Sequence, residues 1–237
     1  MKKVIIVGAS SGIGRELAIL YANKKWLVGV TGRRRELLHE LRDQYPEQII
    51  PLSFDNTSDD VEYHLQLLIS KLGGLDLLIL SSGSGALNTS LDWKVEQETI
   101  ELNVMAWTQI ADFIFSYFRE QEHGHFAAIT SIASIRGEGR APAYNASKSF
   151  QANYLEGLRK LAVFLKLKIT VTDIQPGFVK TKMAKGKGRF WEAPPEKAAR
   201  QILYAIERKK NKVYITKRWW LVALVLKMMP GWVYNRI

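Results

Sequence analysis

At 237 residues, with 47% hydrophobic and 24% charged side chains, the chain is long enough to bury a core and too apolar to be a disordered segment. It holds no cysteine, which excludes disulfides, thiolate nucleophiles and cysteine-ligated metals and suits a reducing, cytoplasmic setting. The net charge of +11 is local: residues 180–237 carry 15 Lys/Arg against 3 Asp/Glu, a basic end that points to one anionic neighbour and away from a nucleic-acid binder.

Met1-Lys2-Lys3 before Val4-Ile5-Ile6-Val7 imitates a secretion leader. The apolar run is only four residues long and ends in a Gly/Ser turn, so it reads as a buried strand. Further apolar runs at 26–31, 49–54, 75–80, 126–131, 168–174 and 212–216 read as strands. Between them, 13–24, 34–44, 58–72, 97–120, 143–166 and 195–209 read as helices. Strands this apolar, without strict alternation, suit a sheet covered on both faces. The repeated order predicts an α/β fold of Rossmann type, a doubly wound, parallel, seven-stranded sheet with helices on both faces. No repeat or linker divides 1–216, which is expected to be one domain, followed by a tail over 217–237.

The first strand runs into Gly8-Ala9-Ser10-Ser11-Gly12-Ile13-Gly14 and then a helix. Gly8 allows a tight turn, Gly12 a close approach to a pyrophosphate, and Gly14 close helix–strand packing. The helix N-terminus then offers free N–H groups to the phosphates. The second strand ends in Thr31-Gly32-Arg33, where a carboxylate would accept the ribose hydroxyls of NAD and an arginine accommodates a 2′-phosphate. Arg33 thus favours NADP(H), while Arg34 and Arg35 suit a solvated basic helix start.

Tyr144-Asn145-Ala146-Ser147-Lys148 sets a phenol and an ammonium on one helical face. A free phenol titrates near about 10, and a neighbouring ammonium stabilises its phenolate, which fits the pair for general acid/base work. Ser131 ends a predicted strand, where open α/β sheets carry their sites, and can hold a substrate oxygen.

Gly8-x-x-x-Gly12-x-Gly14, Asn103, Ser131 and Tyr144-x-x-x-Lys148, in this order and spacing, resemble the short-chain dehydrogenase/reductase family in its compact single-domain branch. The likeness runs from residue 3 to about 216. It implies an NADP(H)-dependent oxidoreductase moving a hydride between cofactor and a small carbonyl or alcohol. In that reading Tyr144 is the general acid/base, and Lys148 lowers its pKa and binds the nicotinamide ribose. Ser131 polarises the carbonyl, and Asn103 supports a water-linked proton relay. Ser10, Ser11 and Ile13 belong to the phosphate loop and Asp55 contacts adenine. Gly83 passes close to the cofactor, and Pro176, Gly177, Val179 and Thr181 embrace the nicotinamide. The resemblance also implies a homo-oligomer, dimer or tetramer. A redox-neutral epimerase or dehydratase on the same fold, or a cofactor-binding regulator, stands as the alternative. One motif departs: the family usually shows Asn-Asn-Ala-Gly where this chain has Leu80-Ser81-Ser82-Gly83, and a hydroxyl at Ser81 reaches fewer partners than an amide.

His39, His64, His123 and His125 show no ligand spacing, so no metal is expected. Asp59-Asp60 suit a helix start. Phe113, Phe115, Tyr117 and Phe118 read as core or as a subunit interface. The stretch 182–195 corresponds to the family's substrate lid, with Phe190 and Trp191 placed either to wall an apolar pocket or to pack on the body. The tail, Lys217-Arg218-Trp219-Trp220-Leu221-Val222-Ala223-Leu224-Val225-Leu226 and onward, has an apolar run too short for a span of about 20 residues. It suits a short apolar helix, either a peripheral membrane anchor or a helix docked on a subunit or on the substrate cleft. These apolar features point to a lipophilic substrate.

Overall fold

The computed structural model describes residues 1–181 and 190–236. Among them, seven strands pair in parallel: β1 (Lys3–Val7), β2 (Leu27–Gly32), β3 (Ile49–Ser53), β4 (Leu77–Leu80), β5 (His123–Ile129), β6 (Lys168–Pro176) and β7 (Lys212–Ile215). Their spatial order is β3-β2-β1-β4-β5-β6-β7. From β1 the chain winds outward one way through β2 and β3, then returns to build the other half from β4. The reversal leaves a crevice beyond the C-terminal ends of β1 and β4, where ligands of such sheets bind.

The helices are α1 (Gly12–Asn23), α2 (Arg35–Gln44), α3 (Val61–Leu72), α4 (Trp93–Ile100), α5 (Trp107–Glu120), α6 (Pro142–Phe164), α7 (Pro195–Glu207), α8 (Trp219–Met228) and α9 (Gly231–Tyr234). Central strands supply apolar side chains to both faces, so two cores form. Ile5, Leu78 and Phe126 join residues of α3, α5 and α6 on one face. Val4, Ile6 and Ile79 join those of α1, α2 and α7 on the other.

Three local outcomes differ from the sequence expectation. The helix foreseen over 97–120 is two helices joined by a π-helical turn, Glu101–Ala106, which holds Asn103. Apolar periodicity carries through such a turn, so the pattern does not register the one-residue widening. β5 starts at His123, earlier than its apolar run, because main-chain pairing with β6 extends past the apolar residues. Asp60 precedes α3 without capping it through its side chain and pairs with His64 at 3.0 Å. Of the aromatic residues on α5, Phe115 and Phe118 are buried in the core, and Phe113 and Tyr117 are half-buried at its margin.

The tail docks on the body. Trp219 and Ala223 are buried, and a Cβ built on Gly177 would stand 1.9 Å from the Trp219 ring, so only glycine permits that approach. Phe178 meets Trp219 edge-on at 5.4 Å and Phe190 stacks on it at 5.1 Å. At the far end Arg136 donates to the Met229 carbonyl, and the Tyr234 hydroxyl donates to the Gly137 carbonyl at 2.7 Å. Residues 182–189 of the expected lid lie outside the described residues. Phe190 and Trp191 pack with Trp219, on the body side of the two placements foreseen for them.

Candidate active site

A cleft of about 610 Å³ opens at the C-terminal ends of the strands. Gly8, Ser10, Ser11, Gly12, Ile13, Arg33, Asp55, Gly83, Ser131, Tyr144, Lys148, Pro176, Gly177, Val179 and Thr181 all line it. Of the residues foreseen from sequence, Gly14 and Asn103 do not. Gly14 lies beneath the turn, where a Cβ would fall 2.2 Å from the Gly8 carbonyl oxygen, so α1 packs on β1 only because that side chain is absent. Asn103 is fully buried behind the cleft.

At one end, Arg33 pairs with Asp55 at 3.6 Å. Burial alone would raise the Asp55 carboxyl, but the Thr57 amide and hydroxyl and the Arg33 guanidinium together hold it below its usual range. Arg34, read as part of a solvated helix start, instead reaches the glycine loop. Its Nη2 donates to Ser10 Oγ and Ser11 Oγ, both at 2.7 Å. The solvated reading fits Arg35, whose Nε contacts His39 at 3.4 Å in an exposed position. The sequence signal for Arg34 is only its place one residue after Arg33, which does not distinguish a side chain turned to the loop from one in water.

The loop after β4 is tied without the expected asparagine. Asn56 Nδ2 donates to Ser82 Oγ at 2.7 Å, and the Ser81 N–H donates to the Val7 carbonyl at 2.8 Å. An amide from the segment after β3 thus reaches the hydroxyl from its own side. Gly85 follows, its backbone so close to the Tyr144 ring that a Cβ would meet Cδ2 at 2.5 Å.

At the other end, β5 delivers Ser131 two residues beyond its last paired position, Ile129. Ser131 caps the short 3-10 turn Ile132–Ser134, its Oγ accepting from the Ala133 N–H at 3.1 Å. Pro142 begins α6, which carries Tyr144 and Lys148 into the cleft. Asn145 Nδ2 donates to the Ala133 and Arg136 carbonyls at 3.2 and 2.7 Å and so fixes the intervening loop against the helix. Burial pushes the Tyr144 phenol above its usual value, partly offset by a hydrogen bond with Ser131. Burial also pushes Lys148 down to about 8, with Asp173 on β6 pulling the other way. Lys148 Nζ donates to Gln151 Oε1 at 2.9 Å and to the Ile129 carbonyl at 3.3 Å.

Behind this pair, Asn103 Nδ2 donates to the Ser84 carbonyl at 2.7 Å and to Ser147 Oγ at 3.0 Å, while its Oδ1 accepts from the Ser84 N–H at 2.9 Å. Its main-chain carbonyl accepts from Gln151 Nε2 at 2.8 Å. Gln151 has no place in the motifs that carry the resemblance; only its position on the Tyr144–Lys148 face could have drawn notice.

The arrangement can orient an oxygen between Ser131 and Tyr144 and supply it with a proton. The donor set fits a nicotinamide dinucleotide: N–H groups at the start of α1, two arginines beside the loop, and an apolar wall at Pro176–Val179.

Comparison with known proteins agrees with this fold. The family model for short chain dehydrogenases matches residues 2–190. An uncharacterized oxidoreductase of Myxococcus xanthus is 32% identical over 189 residues, covering 77% of this chain and 74% of that protein. The crystal structure of a short chain dehydrogenase/reductase from Burkholderia phymatum in complex with NAD matches with a TM-score of 0.86 at 16% identity, over 94% of this chain and 92% of that one. The closed form of a serine dehydrogenase complexed with NADP+ matches with a TM-score of 0.79 at 20% identity, over 90% and 94%. One neighbour holds NAD and the other NADP+, so the likeness carries the fold and leaves the choice between them to local residues.

Proposed function

The chain belongs to the short-chain dehydrogenase/reductase family of oxidoreductases, and we propose that it reduces the carbonyl of a small lipophilic substrate with NADPH, Tyr144 donating the proton. The convergence of Ser131, Tyr144 and Lys148 at one end of a cleft whose other end holds Arg33 and Arg34 carries this reading. Arg33 and Arg34 would hold the 2′-phosphate, the Gly8–Gly14 loop the pyrophosphate, and Lys148 the nicotinamide ribose. When bound, the reduced nicotinamide supplies a hydride. Ser131 holds the carbonyl oxygen, and Tyr144 gives its hydroxyl proton to that oxygen as negative charge develops there. Burial keeps the phenol protonated at neutral pH, which suits the reductive direction. Leu87, Ile132, Ala133 and Phe178 line the substrate end and favour an apolar group there.

The cofactor choice is tested by binding. Arg33→Ala and Arg34→Ala are each expected to weaken NADPH by about tenfold, from lost charge-assisted hydrogen bonds, with NADH binding little changed. Equal losses for both cofactors would remove the phosphate assignment.

The tail extends the reading to a partner, an anionic lipid surface beside the substrate end. Its outer side carries Trp220, Leu221, Leu224, Val225, Met228 and Trp232, all exposed. Eight Lys/Arg and no Asp/Glu follow Glu207, so a second copy meeting this face would bring like charges together, whereas anionic headgroups complement it. No described helix is long and apolar enough to cross a membrane. The full chain should float with phosphatidylglycerol-containing vesicles and not with neutral ones, and Trp220→Ser with Leu224→Ser should abolish flotation. Absent flotation, or dimerisation in solution that these substitutions remove, contradicts the lipid assignment.

A further inference from the structure

Gln151 is fully buried on α6, nearly one turn beyond Lys148. A buried carboxamide is costly unless both its ends are bonded, and here both are. Its Oε1 accepts from Lys148 Nζ at 2.9 Å, and its Nε2 donates to the Asn103 carbonyl at 2.8 Å. The π-helical turn widens the chain at Asn103, and the carbonyl exposed to α6 is the one Gln151 takes. The resemblance has Asn103 support a water-linked proton relay. In this chain a side-chain amide joins the Asn103 carbonyl to Lys148 Nζ directly, and an amide neither takes up nor passes on a proton near neutrality.

The groups around Lys148 Nζ leave Gln151 a large share of its environment. From β5 the Ile129 carbonyl accepts at 3.3 Å, a longer bond than the one to Gln151. From its own helix the Tyr144 ring lies with its centroid 5.9 Å away. From β6 the charged group is Asp173, which is held by Thr130 and Gln175 and acts on the amine at a distance. From the loop after β4, Gly83 passes the amine without a side chain.

We infer that Gln151 is a positioning residue for the Tyr144–Lys148 pair: by bridging Lys148 Nζ to the Asn103 carbonyl it fixes the amine in the cleft and sets the pH at which that amine loses its proton. The catalytic meaning of this bridge rests on the proposed role of Tyr144; the bridge and its effect on Lys148 do not. A carbonyl oxygen pointed at the amine stabilises the ammonium. Removing it lowers the pH at which Lys148 deprotonates, and replacing it by a carboxylate raises that pH. A weaker field from Lys148 then leaves the Tyr144 phenolate harder to form.

The test is a titration of the full-length protein labelled at lysine side chains, followed by nuclear magnetic resonance, with the Lys148 signal assigned from its absence in Lys148→Met. The Lys148 midpoint is expected to fall by about one pH unit in Gln151→Met and to rise by a similar amount in Gln151→Glu. In the alcohol-oxidation direction, the alkaline-rising limb of kcat should move up in Gln151→Met while KM changes little. Lysine midpoints unchanged in both variants, alongside a lowered melting temperature, would reduce Gln151 to a packing residue and overturn the inference. Two substitutions of opposite expected sign guard against a general loss of packing, which would shift both the same way. If Tyr144→Phe retained full turnover, the proposed function would fail while the lysine titration still decided the role of Gln151.

Discussion

The cleft is bounded by two clusters built on different physics. Behind Tyr144 and Lys148 stands a polar cluster, Asn103, Ser147 and Gln151, in which each buried group is held by named donors and acceptors. Behind Gly177 and Phe178 stands an aromatic one, Trp219 with Phe190 and Trp191, held by ring contacts 5.1–6.3 Å apart. Hydrogen bonds have short range and direction, so the polar cluster fixes where an amine and a phenol lie to within tenths of an ångström. Ring packing is non-directional by comparison and scales with area, so the aromatic cluster contributes stability and shape. The chemistry is therefore expected to depend on the polar cluster, and the attachment of the tail on the aromatic one.

Substitutions in each cluster can break that division. The largest effect on stability is expected at Trp219: truncation to Ala removes a buried ring from Gly177 and should cost about 3–5 kcal/mol in denaturant unfolding, without moving the Lys148 titration. A loss below about 1 kcal/mol would show that the ring cluster does not unfold with the body. The neighbouring Trp220→Ala, on the exposed side, should stay within about 0.5 kcal/mol.

An intermediate effect is expected in the polar cluster. Burial pushes Lys148 down to about 8 in the folded state, against an ordinary 10.5. Below pH 8 both states hold the proton and the fold bears the full cost of a buried ammonium. From about 8 to 10.5 the folded state sheds its proton first, so stability rises with pH; above that range the cost is gone. The stability of Lys148→Met relative to the parent should therefore be higher at pH 7 than at pH 10 by on the order of 1–3 kcal/mol, while turnover is lost; the Gln151 oxygen that the substitution leaves unbonded costs the same at both pH values. A stability difference independent of pH would contradict the cause assigned to the lysine shift.

The same contrast explains what was legible in the sequence. Gly8, Gly12, Gly14, Ser131, Tyr144 and Lys148 could be placed from sequence because a tight turn or a close backbone approach admits few residue types, and the spacing of the others follows from strand and helix geometry. The seven strands were readable from their apolar runs for the same reason. Gln151 and Arg34 were not, since a glutamine on a helix or an arginine at a helix start is most often solvated, and only the fold buries the first and turns the second toward the glycine loop. The π-helical turn at Asn103 leaves the apolar pattern intact. The docking of Trp219 was one of several readings of the tail, because an apolar helix carries no address: the partner that settles it, a glycine at position 177, lies far away in sequence. The Asn56–Ser82 hydrogen bond lies outside the motif, in which only the change at Ser81 is visible from sequence.

The central claim is that Tyr144 donates the proton that completes NADPH-dependent carbonyl reduction. It is tested most directly by mixing the NADPH-loaded protein with an apolar ketone or aldehyde that the wild type reduces and following nicotinamide absorbance through a single turnover, in wild type and Tyr144→Phe. The account predicts a decay slowed by about 10²–10⁴-fold in the variant, with NADPH affinity within about threefold of wild type. Equal decays in the two proteins would contradict it.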